Sequence, residues 1–155
     1  MADDVVSTVD AGSRRVARRV AVDASPHEVF ELLADPRRHG ELDGSGTVRG
    51  TVSGPERLHD GAKFSVNMKQ LGVPYRITST VVAFEEDRLI EWRHPLGHTW
   101  RWELAETEPG HTLVTETFDY SAAGPARMYE LTGRTSTNGT GITRTLQQLR
   151  ARFTR

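Results

Sequence analysis

From Arg14 onward the chain alternates. Val16, Val20 and Val22 fall on one face of an extended segment, and Arg15, Ala17, Arg19 and Ala21 fall on the other, which predicts a half-buried strand. Ser25-Pro26-His27-Glu28 reads as a helix start, with a serine cap, a proline at the first helical position and a glutamate completing a capping box. Val29, Phe30, Leu32 and Leu33 give that short helix its buried side. Asp35-Pro36 ends it and caps a second short turn through Arg37–His39. After the Gly44-Ser45-Gly46 linker the period returns to two. Strands are predicted at Thr47–Ser53, Ala62–Lys69, Tyr75–Phe84, Leu89–His94, His98–Glu106 and His111–Tyr120, with turns at Glu85–Asp87, Pro95-Leu96-Gly97 and Pro109-Gly110.

The hairpin around Pro95-Leu96-Gly97 fixes its own register. Pairing His94 with His98 also pairs Trp92 with Trp100 and Ile90 with Trp102, and it sets Glu91 beside Arg101 on the opposite face. A slip of one residue would turn Trp100 and Trp102 outward.

The last segment changes to helical spacing. Met128, Leu131, Thr135, Asn138, Ile142, Leu146, Leu149 and Phe153 recur every three or four residues, and Pro125 suits the first turn. Gly133, Gly139 and Gly141 each cost about 1 kcal/mol against alanine inside a helix, so a bend or break is expected near Asn138–Gly141. The stripe is apolar at its ends and polar at Thr135 and Asn138. A helix laid across a cavity tolerates such groups where one packed on a sheet does not.

The order of strand, two short helices, six-strand meander and long C-terminal helix resembles the SRPBCC superfamily, the helix-grip fold of START-like proteins. The stretches Val20–Asp35 (VAVDASPHEVFELLAD) and Glu86–Trp92 (EDRLIEW), with the closing helix, are similar to its polyketide cyclase/dehydrase branch. The resemblance covers residues 14–153. It implies an α+β fold in which a seven-stranded curved antiparallel sheet and the C-terminal helix enclose a cavity for hydrophobic molecules. Members include aromatase/cyclases, lipid and hormone binders and protein-interaction modules. Many carry a tryptophan soon after the aspartate-proline, where this chain has His39-Gly40-Glu41-Leu42.

The strand phases predict the lining of that cavity. Phe64, Val66 and Met68 come from one strand and Tyr75, Ile77, Ser79 and Val81 from the next. Ile90, Trp92 and His94 face His98, Trp100 and Trp102 across the hairpin, and Val114, Glu116, Phe118 and Tyr120 come from the last strand. Thr135 and Asn138 face them from the helix. The phase of Tyr75–Val81 depends on the length of the Glu86-Asp87 turn.

Three of these residues carry candidate chemistry. His94 and His98 form H-P-L-G-H, but the proline and glycine make this a turn rather than a helical zinc motif. The pair is an acid–base candidate or an ordinary hairpin end, and no metal site is expected. Glu116 lies between Val114 and Phe118 on an apolar face. A carboxylate desolvated there holds its proton more tightly, which suits general acid–base work. The alternative is a structural ion pair with inward-phased Arg18, because first and last strands are neighbours in this fold.

Composition narrows the function classes. With 36% apolar and 26% charged residues, the 155-residue chain has the balance of a globular domain. A formal net charge of -1 gives no global reason to expect nucleic acid. There is no cysteine, which removes disulfides and thiol chemistry and suits a reducing cytoplasm. No run of about 18 apolar residues exists to span a bilayer. Residues 1–12 show no periodicity and are expected to be a flexible tail, followed by a single domain over 13–155. No phosphate-loop, nucleophile-elbow or dinucleotide fingerprint occurs. The expectation is a cytoplasmic, cofactor-independent binder of aromatic, polyketide-like or lipid-like small molecules, monomeric or homodimeric, with cyclase/dehydrase-like turnover left open. The alternatives are a non-catalytic lipid carrier or sensor, and an interaction module using the arginine-rich C-terminal helix.

Overall fold

The computed structural model describes residues 6–41, 48–70, 72–124, 126–131 and 133–153. Within elements, the side chains of Met68 and Thr135 fall outside the described part. Along the chain come β1 (Ser7–Val9), β2 (Arg15–Val22), α1 (Pro26–Ala34), a 3-10 helix (Pro36–Glu41), β3 (Val48–Ser53), β4 (Lys63–Gln70), β5 (Val73–Glu85), β6 (Leu89–Arg93), β7 (Thr99–Glu108), β8 (His111–Asp119), α2 (Ala126–Leu131) and α3 (Arg134–Phe153). The strands form one antiparallel sheet in the order β1-β2-β8-β7-β6-β5-β4-β3. All seven expected strands are present, and β1 adds a short eighth.

Ser7–Val9, within the flexible tail expected over residues 1–12, form that eighth strand. Ser7, Thr8 and Val9 pair with Arg19, Arg18 and Ala17 of β2, whose edge would otherwise be open. The return between the two strands is held by the Gly12 amide, which donates to the Asp10 carboxylate at 3.1 Å.

α1 begins as its sequence dictates. The Glu28 amide donates to Ser25 Oγ at 3.2 Å and the Ser25 amide donates back to Glu28 Oε2 at 2.9 Å, completing the capping box. Val29, Phe30, Leu32 and Leu33 are buried, and Phe30 meets Phe84 of β5 edge-on at 5.3 Å. Asp35 then restarts the chain: its carboxylate accepts from the Arg37 amide at 3.0 Å and opens the 3-10 helix.

The sheet's inner face is the one on which α3 packs. Val20 and Val22 of β2, opposite Val114 and Thr112 of β8, are 2% exposed or less and form one core with Ile142, Leu146 and Leu149 of α3. β5 reaches this face through a bulge. Val81 pairs with Trp92, but the next recorded pair is Ala83 with Glu91, so Val82 is the extra residue and is pushed to the surface. The bulge preserves the expected inward phase of Tyr75, Ile77, Ser79 and Val81.

The C-terminal segment departs from expectation. α3 runs unbroken through Asn138–Gly141, and the interruption falls earlier, between α2 and α3, where Gly133 has φ +73°. That turn takes α2 out of phase with the stripe, leaving Met128 and Leu131 at 62% and 82% exposure. Gly139 is a contact rather than a weak point. A Cβ there would lie 2.9 Å from Arg18 Nη2 and 3.3 Å from Val16 Cγ1, so the missing side chain is what lets α3 sit close on β2.

Candidate functional site

Strand register sets the described lining residues of β4–β8 on one face. Ile90 pairs with Trp102, Trp92 with Trp100 and Glu91 with Arg101, in the register set by the Pro95-Leu96-Gly97 turn. Trp100 and Trp102 lie opposite Phe118 and Glu116 of β8. Phe64, Val66 and Met68 of β4 pair with Ser79, Ile77 and Tyr75 of β5. On the outer face Arg101 bridges Glu91 at 3.1 Å and Glu103 at 2.8 Å, so charges and aromatics separate as the alternation requires.

Burial along this face is graded. On β2 and β8, where α3 packs, it is closed: Val20 is 2% exposed, Val114 and Phe118 0% and Glu116 6%. Tyr75, Ile77, Trp92 and Trp100 of β5–β7 are only half-buried, whereas Phe64, Val66, Ser79 and Val81 of β4 and β5 are buried. Asn138, half-buried, stands on the N-terminal half of α3.

Aromatic rings of this face gather in two sets. Trp100 lies 4.8 Å from Phe118, and Phe118 stacks on Tyr120 at 5.6 Å. Trp92 meets Phe64 edge-on at 5.5 Å. The ring of His39, from the 3-10 helix, stacks on Trp92 at 4.9 Å and meets Phe64 edge-on at 5.6 Å. Its Nε2 lies 2.7 Å from the Leu33 carbonyl. Burial holds the imidazole below its ordinary pKa, against the Leu33 carbonyl and the Asp35 carboxylate, which act to raise it. Sequence reasoning placed His39 in a turn and gave it no role.

The polar groups are few. His94 and His98 stack at 4.2 Å across the hairpin end, with His98 set edge-on against Phe118 at 5.0 Å. The Leu96 amide donates to His94 Nδ1 at 3.0 Å, which puts the proton of neutral His94 on Nε2. Glu116 lies cross-strand from Arg18 as expected, yet the two form no salt bridge. Arg18 donates instead from Nη1 to the Ala17 carbonyl at 2.9 Å, and its guanidinium lies against Gly139. The buried Trp102 Nε1 has no hydrogen-bond acceptor, Glu116 opposite it included. Leaving such a donor unsatisfied costs about 1–3 kcal/mol. Burial raises the Tyr120 phenol above its ordinary pKa, Glu130 adds to the rise and Arg14 opposes it.

A family model described as polyketide cyclase / dehydrase and lipid transport matches residues 13–154. The chain belongs to this polyketide cyclase/dehydrase family. It is 53% identical over 154 residues to an uncharacterized protein of Mycobacterium tuberculosis, Rv0088, an overlap of 97% of this chain and 69% of that protein. Among solved structures it resembles protein Ms6760 of Mycobacterium smegmatis, with TM-score 0.67 and 16% identity over 94% of this chain and 96% of that one. It also resembles the ginseng major latex-like protein 151 of Panax ginseng, with TM-score 0.62 and 12% identity over 91% and 97%. At these identities the structural likeness shows the helix-grip fold.

Two further features lie outside the family's inner face. His27, Glu31 and Glu86 bring potential metal-ligating atoms within 4.8 Å of one another. Arg57 already bridges that group, donating to Glu31 at 2.7 Å and to Glu86, with its guanidinium 5.6 Å from the Phe30 ring. Its hydrogen bond lowers the Glu31 pKa, while the hydrogen bond that His27 Nδ1 donates to Asp87, 3.0 Å away, raises that of His27. This is an ion-pair network tying α1 to the β5–β6 turn. An open depression of about 840 Å³ lies on the outer face beside the start of α1, lined by Arg19, Arg101, Glu103 and Thr115. Its lining mixes these polar side chains with Leu89, Leu104 and Leu113. No helix among the described residues is long and apolar enough to cross a membrane.

Proposed function

We propose that the chain binds a largely apolar, ring-bearing small molecule on the inner face, between the aromatic wall of β4–β7 and the N-terminal half of α3. The observation that carries this reading is the graded burial. Tyr75, Ile77, Trp92 and Trp100 are inner-face residues that stay half-buried, while Val20, Val114 and Phe118 on β2 and β8, where α3 packs, are closed. Aromatic and aliphatic walls with few polar groups are what ligand sites of this size class use. Family membership supports the same class of molecule, polyketide-like or lipid-like. Any turnover would draw on His94, His98 or Glu116 as proton-moving groups and on the orientation of a held substrate. We take the setting to be cytoplasmic, in keeping with a cysteine-free composition.

A second reading, docking of a protein partner, is favoured by the exposure of Met128 and Leu131, three residues apart on α2. One experiment separates the two. The fluorescent probe 1-anilinonaphthalene-8-sulfonate is titrated into wild type and Ile77→Gln, with near-ultraviolet circular dichroism confirming that both remain folded. Saturable binding that Ile77→Gln weakens supports the inner-face site. Binding unaffected by Ile77→Gln but abolished by Leu131→Gln contradicts it.

A further inference from the structure

His39 has one ring nitrogen, Nε2, committed to a described partner. A carbonyl oxygen only accepts, so the 2.7 Å contact with Leu33 places the proton on Nε2. In the neutral ring Nδ1 is then a lone-pair acceptor, and among the described residues no donor reaches it. The ring is kept neutral by its burial, which depresses its pKa. Its orientation is fixed by the Leu33 bond, by the stack on Trp92 and by the edge contact with Phe64. The side chain is only partly covered. A held acceptor in an otherwise apolar wall is the kind of group that sets a ligand's orientation.

Resting on the reading that this face takes a ring-bearing ligand, we propose that His39 Nδ1 accepts a hydrogen bond from a ligand hydroxyl. The preferred class is then hydroxylated aromatics: phenols, or the enol form of a cyclic ketone. An ether or carboxylate oxygen has no proton to give and gains nothing at Nδ1.

The test compares 2-naphthol with 2-methoxynaphthalene, which share a ring system and differ in the donor proton. Affinities are measured by displacement of 1-anilinonaphthalene-8-sulfonate from wild type and from His39→Phe, which keeps an aromatic ring over Trp92. The expected result is about three- to tenfold tighter binding of 2-naphthol by wild type, with the preference gone in His39→Phe. General damage to the site would weaken both probes together and leave their ratio unchanged. On the wild-type protein alone, the imidazole 15N resonance of Nδ1 should move toward a hydrogen-bonded value with 2-naphthol and stay in place with 2-methoxynaphthalene. Equal binding of both probes by wild type, or a preference that persists in His39→Phe, overturns the role of His39 and leaves the inner-face site standing. Failure of both probes to bind overturns the site as well.

Discussion

Replacing Leu146 with alanine tests how α3 is seated. The Leu146 side chain is 0% exposed and sits in the cluster that α3 forms with β2 and β8. The substitution removes three carbons, worth about 2.4 kcal/mol in transfer alone at about 0.8 kcal/mol per carbon. The neighbours Val20, Ile142 and Leu149 are equally buried and held by a paired strand and a continuous helix, so the void closes only in part. With the cavity term the expected loss is about 3–4 kcal/mol. Asn138→Ala, two turns earlier at a half-buried position, should change stability by no more than about 0.5 kcal/mol. Urea denaturation with a common m-value reads both. A loss below about 1 kcal/mol for Leu146→Ala, or equal losses for the two variants, would refute the contrast between the buried Leu146 and the half-buried Asn138.

Two further outcomes follow from local geometry. Ser25→Ala removes the Oγ arm of the capping box, leaving the backbone amide on Glu28, and should cost about 1 kcal/mol, seen as a lower melting temperature, whereas an unchanged midpoint would show that the cap is not needed. His39 titrates below its unfolded value, so the unfolded chain takes up the proton first as pH falls. Its contribution is whole above about pH 6.5 and is lost as pH drops through that value toward the folded pKa. Wild type should therefore lose stability relative to His39→Phe between pH 7.5 and 5 (approximate limits). The His27–Asp87 pair acts in the opposite sense, stabilising below the unfolded value and fading as pH rises, but it is common to both proteins and cancels.

What the sequence made legible was whatever two independent patterns agreed on. The β6–β7 register followed because the Pro95-Leu96-Gly97 turn and the sorting of Trp92, Trp100, Glu91 and Arg101 admit one solution. α1 followed from its capping box and buried stripe. The phase of β5 came out as expected through a bulge at Val82 that no local signal marks. The helical stripe misled in its first half. Gly133 breaks it, and Gly139 looked costly because its compensation, close approach to Val16 and Arg18, is tertiary. β1 is too short for periodicity and exists because the edge of β2 is available. The expected Arg18–Glu116 pairing was right as register and wrong as an ion pair, since arginine reach is not set by strand phase. His39 was illegible for the same kind of reason: a lone histidine in a polar turn acquires its role only when Leu33 and Trp92 come together around it.

The most direct test of the inner-face site is a methyl NMR titration of the wild-type protein with 2-naphthol. The account predicts saturable shifts confined to Val66, Ile77, Val81 and Ile90, with α3 methyls beyond Leu146 unmoved. Shifts centred instead on Leu89 and Leu113 at the outer depression, or none at saturating probe, would contradict it.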